Sequence, residues 1–460
     1  MRMHLIRLGV LLGIVLSLRL GVFWLAYSAD SRCMITVDSK SYSRPALALL
    51  KTGRLAATPE LPDVPLMYRT PGYPVFIALI YRFFGERPAV VIVAQVIVSS
   101  VTVCVVYHLS NMLWGGAAAV VSALLLSLGL ESLMLSLCLL TDTLFTLFLM
   151  LSVGSGILLG LGKGGRRKWA FLSGLFLGIA TLVRPVSYYL IVPIAVGWLA
   201  YGLFGGWKRR ETAVIVSLLA LPFVILIGGW RVRNYCLSGY SDYSTLPGMN
   251  LLYYRAGGIL ARRDGVPFET VRQRLYEEYP RGDAVATSPQ MARDCAKEGW
   301  KTIKQYPLFF VKDIAHGAVR LLISPGSSGL VMYMGVDLEE TDRSGRLHGQ
   351  SFVGRITRRV LSNPFLTALT AFGLAHLFLS YCGILFVAWR VVRVDRQAVV
   401  VHLFVLGVVL YFVLVSSYVS THSRYRVPIA PLIALYGGGG LSLLIHQYRS
   451  WKARRTAERG

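Results

Sequence analysis

Apolar runs of about twenty residues, each long enough for a membrane-crossing helix, recur along the chain between short polar connections. Segments of about ten residues with alternating polarity, the mark of a transmembrane barrel, do not occur. Ten spans fit the pattern, at residues 5–27, 88–113, 116–134, 140–161, 169–183, 186–204, 212–230, 364–389, 398–417 and 428–446. The apolar stretch from Tyr73 to Gly85 carries Arg82 and is too short to cross at about 1.5 Å per residue. It is expected to be a juxtamembrane or re-entrant helix, with Pro71 and Pro74 suiting its first turn. The fold class is therefore all-α and polytopic, with about 10 transmembrane helices, juxtamembrane helices in the first external loop and one large external loop. Three regions are expected: 1–230, a membrane module with its first external loop at 28–87; 231–363, a large external loop or domain; and 364–460, the last spans and a basic tail. Inside the large loop, Phe268–Tyr279 and Pro289–Gln305 have helical composition, the latter after a capping Ser288. Pro307–Ile323 is amphipathic and is expected to lie flat on the outer leaflet. The run Gly437–Gly440 predicts close helix packing.

Composition agrees, since 55% hydrophobic and 15% charged residues describe a chain that a bilayer, not water, must solvate. The net charge of +25 would suit a nucleic-acid binder if the basic residues shared one domain. They are instead dealt out between spans, at Lys163–Lys168, Lys208–Arg210, Arg390–Arg396 and the tail from Arg449. That is the positive-inside pattern; it places both termini in the cytoplasm and excludes nucleic acid as a partner. Leu5–Tyr27 is too long for a signal-peptide core and no small-x-small cleavage signal closes it, so it is expected to be retained. No Asn-x-Ser/Thr sequon occurs, which favours a bacterial inner membrane. Cys33, Cys236 and Cys295 would face the oxidising side, where a Cys236–Cys295 bridge is permitted; no metal-ligand spacing is present.

The candidate chemistry gathers on the non-cytoplasmic side. Asp38 opens Asp38-Ser-Lys-Ser-Tyr42 just after the first span, and Tyr68-Arg69-Thr-Pro-Gly-Tyr73-Pro follows in the same loop. A carboxylate at the water boundary can act as a general base; capping a helix is the alternative reading of Asp38. Arg69, Arg184, Arg231, Arg233, Arg424 and Arg426 all fall at outer helix ends, where the positive-inside pattern disfavours them. A guanidinium matches a phosphate in both charge and fork geometry; snorkelling to lipid headgroups is the alternative. Asp142 opens the fourth span, where an acid calls for a partner such as Arg184. Arg19, inside the first span, is read as snorkelling. Glu60 and Asp63 offer a second acid beside Asp38. His316, His348 and His422 are read as ordinary polar residues.

Taken together, the motifs resemble the GT-C superfamily of polyprenyl-phosphate-dependent glycosyltransferases, in particular bacterial members akin to protein O-mannosyltransferases and the lipid A aminoarabinose transferase. They are Asp38-x-x-x-Tyr42, Tyr68-Arg-Thr-Pro-Gly-Tyr-Pro-Val-Phe76, Leu140-Thr-Asp142-Thr-Leu-Phe145, Gly178-Ile-Ala-Thr-Leu-Val-Arg184-Pro185, Trp230-Arg-Val-Arg-Asn234-Tyr235 and Ser423-Arg-Tyr-Arg-Val-Pro428. The resemblance implies a catalytic Asp38 and a donor phosphate held by Arg184, Arg231 and Arg424; Arg69 and Arg426 join that phosphate-binding set from the pattern of outer arginines. Tyr42, Tyr68, Tyr73, Asp142, Asn234 and Tyr425 would support the substrate. Many relatives carry a second acid before the proline of the second motif, where this chain has Arg69-Thr70. That departure tells against a two-acid site or a metal held between two acids; no cofactor is assigned, and a divalent metal ion stays open. The expected activity is inverting transfer of a sugar from a polyprenyl-phosphate donor to a lipid, glycan or protein acceptor on the periplasmic face, among membrane lipids. A lipid-sugar flippase, an O-antigen ligase or polymerase, and a noncatalytic membrane assembly factor are the alternatives.

Overall fold

The computed structural model describes residues 2–279, 288–327, 329, 364–394, 396–418 and 421–457. His348 and all of the expected outer loop beyond Gly329 lie outside them. Where bilayer contact denies the backbone water, helices satisfy every amide internally, and the apolar blocks become helices accordingly. These are α1 (Arg2–Ala29), α4 (Pro88–Trp114), α5 (Gly116–Leu128), α6 (Leu130–Ser136), α7 (Asp142–Gly160), α8 (Arg166–Val183), α9 (Ile191–Phe204) and α10 (Arg209–Ser238). After the polar region come α16 (Pro364–Val394), α17 (Arg396–Ser416) and α18 (Ala430–Ala457). Among the described residues eight helical segments are long and apolar enough to cross a membrane, and nine if α5 and α6, bent by 62° at Gly129, form one span. The tenth expected span is α8, whose first turn is Arg166-Arg167-Lys168 and whose apolar part packs between α7 and α10. The all-α polytopic expectation holds.

The core runs down the bundle axis through Tyr107, Phe145, Trp198 and Phe412, while Val10, Trp24, Val192 and Leu403 face outward. The glycine run works as expected. A Cβ on Gly440 would stand 1.9 Å from the carbonyl oxygen of Gly383, and one on Gly438 would meet Ser122 at 2.3 Å. Backbones of α5, α16 and α18 therefore touch where only glycine fits. Arg19 does not snorkel. It is fully buried and donates to the Ser132 carbonyl at 3.0 Å and to Ser136 Oγ at 2.7 Å, tying α1 to α6.

A polar cap covers one end of the bundle. The first loop folds into α2 (Lys40–Thr52), a hairpin of β1 (Ala56–Thr58) and β2 (Leu61–Pro65), and α3 (Gly72–Phe84). At 13 residues α3 does not cross, as expected. The second part of the cap begins later than the expected residue 231, because α10 continues to Ser238. It holds α11 (Leu246–Asn250), a π-helical turn (Leu251–Ala256), α12 (Gly257–Asp264), α13 (Phe268–Glu278), α14 (Pro289–Gln305) and α15 (Pro307–Ile323). Its small core is Met249, Leu252, Tyr253, Val271, Leu275 and Cys295. Ser288 caps α14 by accepting from the Met291 amide at 3.1 Å. All six cysteines are free, with Cys236 exposed and Cys295 buried, so the permitted bridge is not formed.

Candidate active site

Backbone contacts bring the first loop onto the bundle end. The Leu139 amide donates to the Met34 carbonyl at 2.9 Å, and Ser39 Oγ donates to the Leu139 carbonyl at 3.0 Å. These bonds set Asp38 beside the start of α7, where Asp142 lies. Gly72 supplies a second close approach, since a Cβ there would lie 2.8 Å from the Leu182 backbone. The start of α3 thus abuts the end of α8, and Arg69 and Arg184 share one wall. Pro185 keeps Arg184 extended, at φ −147° and ψ 121°, because the α conformation is disfavoured before proline.

Two acids and three arginines interlock there. Asp38 accepts from Arg69 Nη2 at 3.0 Å through Oδ1 and from Arg424 Nη1 at 3.3 Å through Oδ2. Asp142, fully buried, accepts from Arg184 through Oδ1 and from Arg424 Nε and Nη2 at 3.2 and 3.0 Å through Oδ2. Arg424 is therefore shared between both carboxylates. Arg69 also donates to Ser41 Oγ at 3.0 Å and lies 4.4 and 4.7 Å from the ring centres of Tyr42 and Tyr68. Partial burial pushes the Asp38 carboxyl up, but Arg69 and Arg424 outweigh it and hold the group below the usual carboxylate range. Asp38 keeps 41% of its side chain exposed, which makes it the acid that a substrate can reach.

It opens on a cavity of about 350 Å³ lined by Asp38, Arg69, Arg184, Arg255 and Arg424, with a wall of tyrosines: Tyr42, Tyr68, Tyr189, Tyr243, Tyr254, Tyr411, Tyr418 and Tyr425. Of the expected residues, Tyr73 sits beneath this wall, fully buried, edge-on to Tyr42 at 5.2 Å and bonded to Gln95. Arg231 and Asn234 do not line the cavity. Arg231 donates to the Ser241 carbonyl at 2.6 Å and Tyr188 Oη at 3.0 Å, and Asn234 to the Asp242 carbonyl at 2.8 Å. Arg233 is likewise a strut, reaching the carbonyls of Leu55 at 2.7 Å and Leu66 at 2.9 Å. Arg426 turns away into a buried pair with Glu131 and donates to the carbonyls of Leu321 at 2.8 Å and Ser324 at 2.7 Å. Glu60 and Asp63 pair at the surface with Arg44 and Arg54, each at 2.6 Å, and stand apart from the cavity. Arg255 was not expected. It comes from the π-helical turn, donates to the carbonyls of Ser417, Val415 and Leu414, and packs 5.1 Å from the Tyr418 ring. The argument applied to the other outer arginines would have singled it out in Leu251-Leu-Tyr-Tyr-Arg255.

A divalent ion does not fit between the two acids, because the Arg424 guanidinium spans them. Among the described residues no group of three or more His, Cys, Asp or Glu side chains could hold one.

Residues 64–230 match the dolichyl-phosphate-mannose-protein mannosyltransferase family. No curated protein sequence matches significantly. Among solved structures, the apo oligosaccharyltransferase of Archaeoglobus fulgidus is similar at 15% identity over 99% of this chain and 52% of that one, with a TM-score of 0.55. The complex of the Archaeoglobus fulgidus enzyme AglB with an inhibitory peptide and a dolichol-phosphate gives 14% identity, 95% and 52% coverage and a TM-score of 0.51. ArnT from Cupriavidus metallidurans bound to undecaprenyl phosphate gives 13% identity over 93% of this chain and 77% of that one; its TM-score of 0.38 is too low to build on. The chain spans about half the length of the archaeal enzymes. The matched family and the shared fold bear out the resemblance to the GT-C superfamily read from the motifs.

Proposed function

We propose that the chain transfers a sugar from a polyprenyl-phosphate donor to a hydroxyl or amine acceptor, with Asp38 as general base. The observation that carries this reading is a half-exposed carboxylate and four arginines around one tyrosine-lined cavity. Four guanidinium charges stand against Asp38 and the buried Asp142, leaving the site two positive charges in excess. A donor phosphodiester brings one negative charge. The departing polyprenyl phosphate carries up to two, since the second ionisation of a phosphate monoester lies at about pH 6. The excess is thus matched to the product more closely than to the donor, which is where catalysis gains.

In the reaction the acceptor oxygen or nitrogen attacks the anomeric carbon from the face opposite the phosphate. The new bond forms as the carbon–oxygen bond to phosphate breaks, inverting the configuration. Asp38 takes the acceptor proton, and the bond electrons leave on the phosphate, so no general acid is needed. Arg69 and Arg424 occupy both oxygens of Asp38. A donor phosphate draws these guanidiniums toward itself and adds a negative charge nearby, so donor binding raises the basicity of Asp38. The tyrosine wall offers flat rings and hydroxyls to the sugar and acceptor. The similar solved structures include one with dolichol-phosphate, which supports the donor class. The positive-inside pattern of the loop charges supports a face outside the cytoplasm, and the absence of Asn-x-Ser/Thr sequons supports a bacterial inner membrane.

The test is release of polyprenyl phosphate from a polyprenyl-phosphate sugar by the purified protein in sealed proteoliposomes. Wild type should release it with acceptor present, and Asp38→Asn should be slower by about 10²–10⁴-fold, the range for removing a general base. Donor that crosses the bilayer unconsumed, with Asp38→Asn as active as wild type, would instead identify a flippase.

A further inference from the structure

The motif Trp230-Arg-Val-Arg-Asn234 sends no side chain into the cavity. It works as a comb beside it. α10 ends on Gly239, whose positive φ of 67° turns the chain out of the helix. The stretch that follows belongs to no helix or strand, and irregular backbone must find its hydrogen-bond partners elsewhere. Three carbonyls in a row find them on the last turns of α10. Ser241 accepts from Arg231 Nε at 2.6 Å, Asp242 from Asn234 Nδ2 at 2.8 Å and Tyr243 from Trp230 Nε1 at 2.8 Å. Arg231 has a second hold, because its Nη1 donates to Tyr188 Oη at 3.0 Å. The Tyr188 ring stacks on that of Tyr243, with centres 4.0 Å apart and planes 25° apart. Tyr188 stands behind, and Tyr243 lines the cavity. The same stretch is tied to the first loop: Ser244 Oγ donates to the Tyr68 carbonyl at 2.7 Å, and the Thr245 amide to the Met67 carbonyl at 3.0 Å.

We infer that Tyr243 selects the sugar of the donor, and that Arg231 is a positioning residue that acts through it. This rests on the polyprenyl-phosphate reading of the cavity. There the arginines take the phosphate and Asp38 takes the acceptor proton, which leaves the sugar to the rings. A pyranose lays its bare C–H face on an aromatic ring, and epimers differ in how much of each face is bare. A ring therefore tells epimers apart only if its tilt is fixed. A tyrosine on an irregular loop would turn with the loop. Here one planar guanidinium grips both the loop backbone and the ring behind Tyr243. A lysine, a point charge on a flexible stem, cannot reproduce that double hold.

The experiment measures binding to the full chain in detergent of undecaprenyl phosphate, bare and carrying glucose, galactose or mannose, with thermal unfolding as the folding control. Wild type should separate the best of the three sugars from the worst by about tenfold, and Arg231→Lys should bring that ratio below about twofold. Bare undecaprenyl phosphate should bind Arg231→Lys as it binds wild type. Tyr243→Leu should lose the ratio as well. If Arg231→Lys does not fold, Tyr188→Phe, which deletes only the hydroxyl that Arg231 grips, should lower the ratio by itself. Equal binding of the three sugars by wild type, or a ratio that survives in the folded variants, would overturn the assignment. So would weaker binding of bare undecaprenyl phosphate by Arg231→Lys, which would make Arg231 a phosphate ligand. A wild type that binds no undecaprenyl phosphate would remove the donor reading and this inference with it. None of these readouts involves turnover, so sugar selection and the role of Asp38 fail separately.

Discussion

Arg424 divides one guanidinium between two carboxylates of different kinds, and substitution should separate them. Asp142 is fully buried, whereas Asp38 is 41% exposed. Asp142→Asn leaves Arg184 and Arg424 short of counter-charge in a dry site, a loss of about 3–5 kcal/mol for a broken buried pair. It should lower the thermal midpoint in detergent sharply, while Asp38→Asn stops turnover with a much smaller shift. The pH dependence carries a second prediction. In the free protein Asp38 is held below the usual carboxylate range, so it stays ionised, with its ion pairs intact, until the pH falls below about 4. On the proposed reading, donor binding draws its arginines away and raises its pKa, so the acid limb of kcat should lie at higher pH than that of kcat/KM for the donor. Coincident limbs would mean that the phosphate leaves the Asp38 pairs untouched. At this scale the sequence was informative about residue type: Asp38, Arg69, Arg184 and Arg424 all line the cavity. It could not give direction. Arg424 and Arg426 are two residues apart, yet one reaches the cavity and the other Glu131, a divergence set by the 3₁₀ turn Ser423–Ile429. Arg255 was missed because it lies inside the outer loop rather than at the end of a span, although the same charge argument reaches it.

At the scale of elements, the same 3₁₀ turn joins the cap to the bundle. Arg426 clasps Glu131 of α6 and the carbonyls ending α15, so the turn carrying Arg424 is pinned from both sides. Arg426→Ala should destabilise the protein by about 3–5 kcal/mol and lower kcat, although the side chain never reaches the cavity; full activity in this variant would show that the clasp does not position Arg424. The glycine seam is tested by Gly438→Leu. It forces a Cβ against Ser122, and overpacking of this kind costs about 1–3 kcal/mol, seen as reduced yield of monodisperse protein. Element existence was legible because apolar blocks and capping signals are local: Ser288-Pro289 starts α14 as read. The boundary at residue 231 was not, because α10 leaves the apolar zone and continues for two more turns on tertiary support from Arg233.

For the whole molecule, sidedness is the property on which the others depend. Cys236 is the exposed cysteine, at the cap end of α10, while the other five are buried or half-buried. A membrane-impermeant maleimide should therefore label intact cells or right-side-out vesicles at Cys236, and Cys236→Ser should abolish the signal; labelling only of inverted vesicles would turn the protein over. Loop charge gives the sequence an expected orientation, whereas the meeting of distant segments has no local signal, since nothing local says that Asp142 and Arg424 touch across 282 residues of chain. That separation also has a meaning in time. Synthesis proceeds at about 5–20 residues per second, so Asp142 is made some tens of seconds before the arginine that completes its charge balance. Until the last span arrives, the nascent chain holds a half-neutralised acid inside the bilayer and no working site. A chain cut short late would therefore lack the arginine that completes the balance of Asp142 and would be left without a closed bundle end.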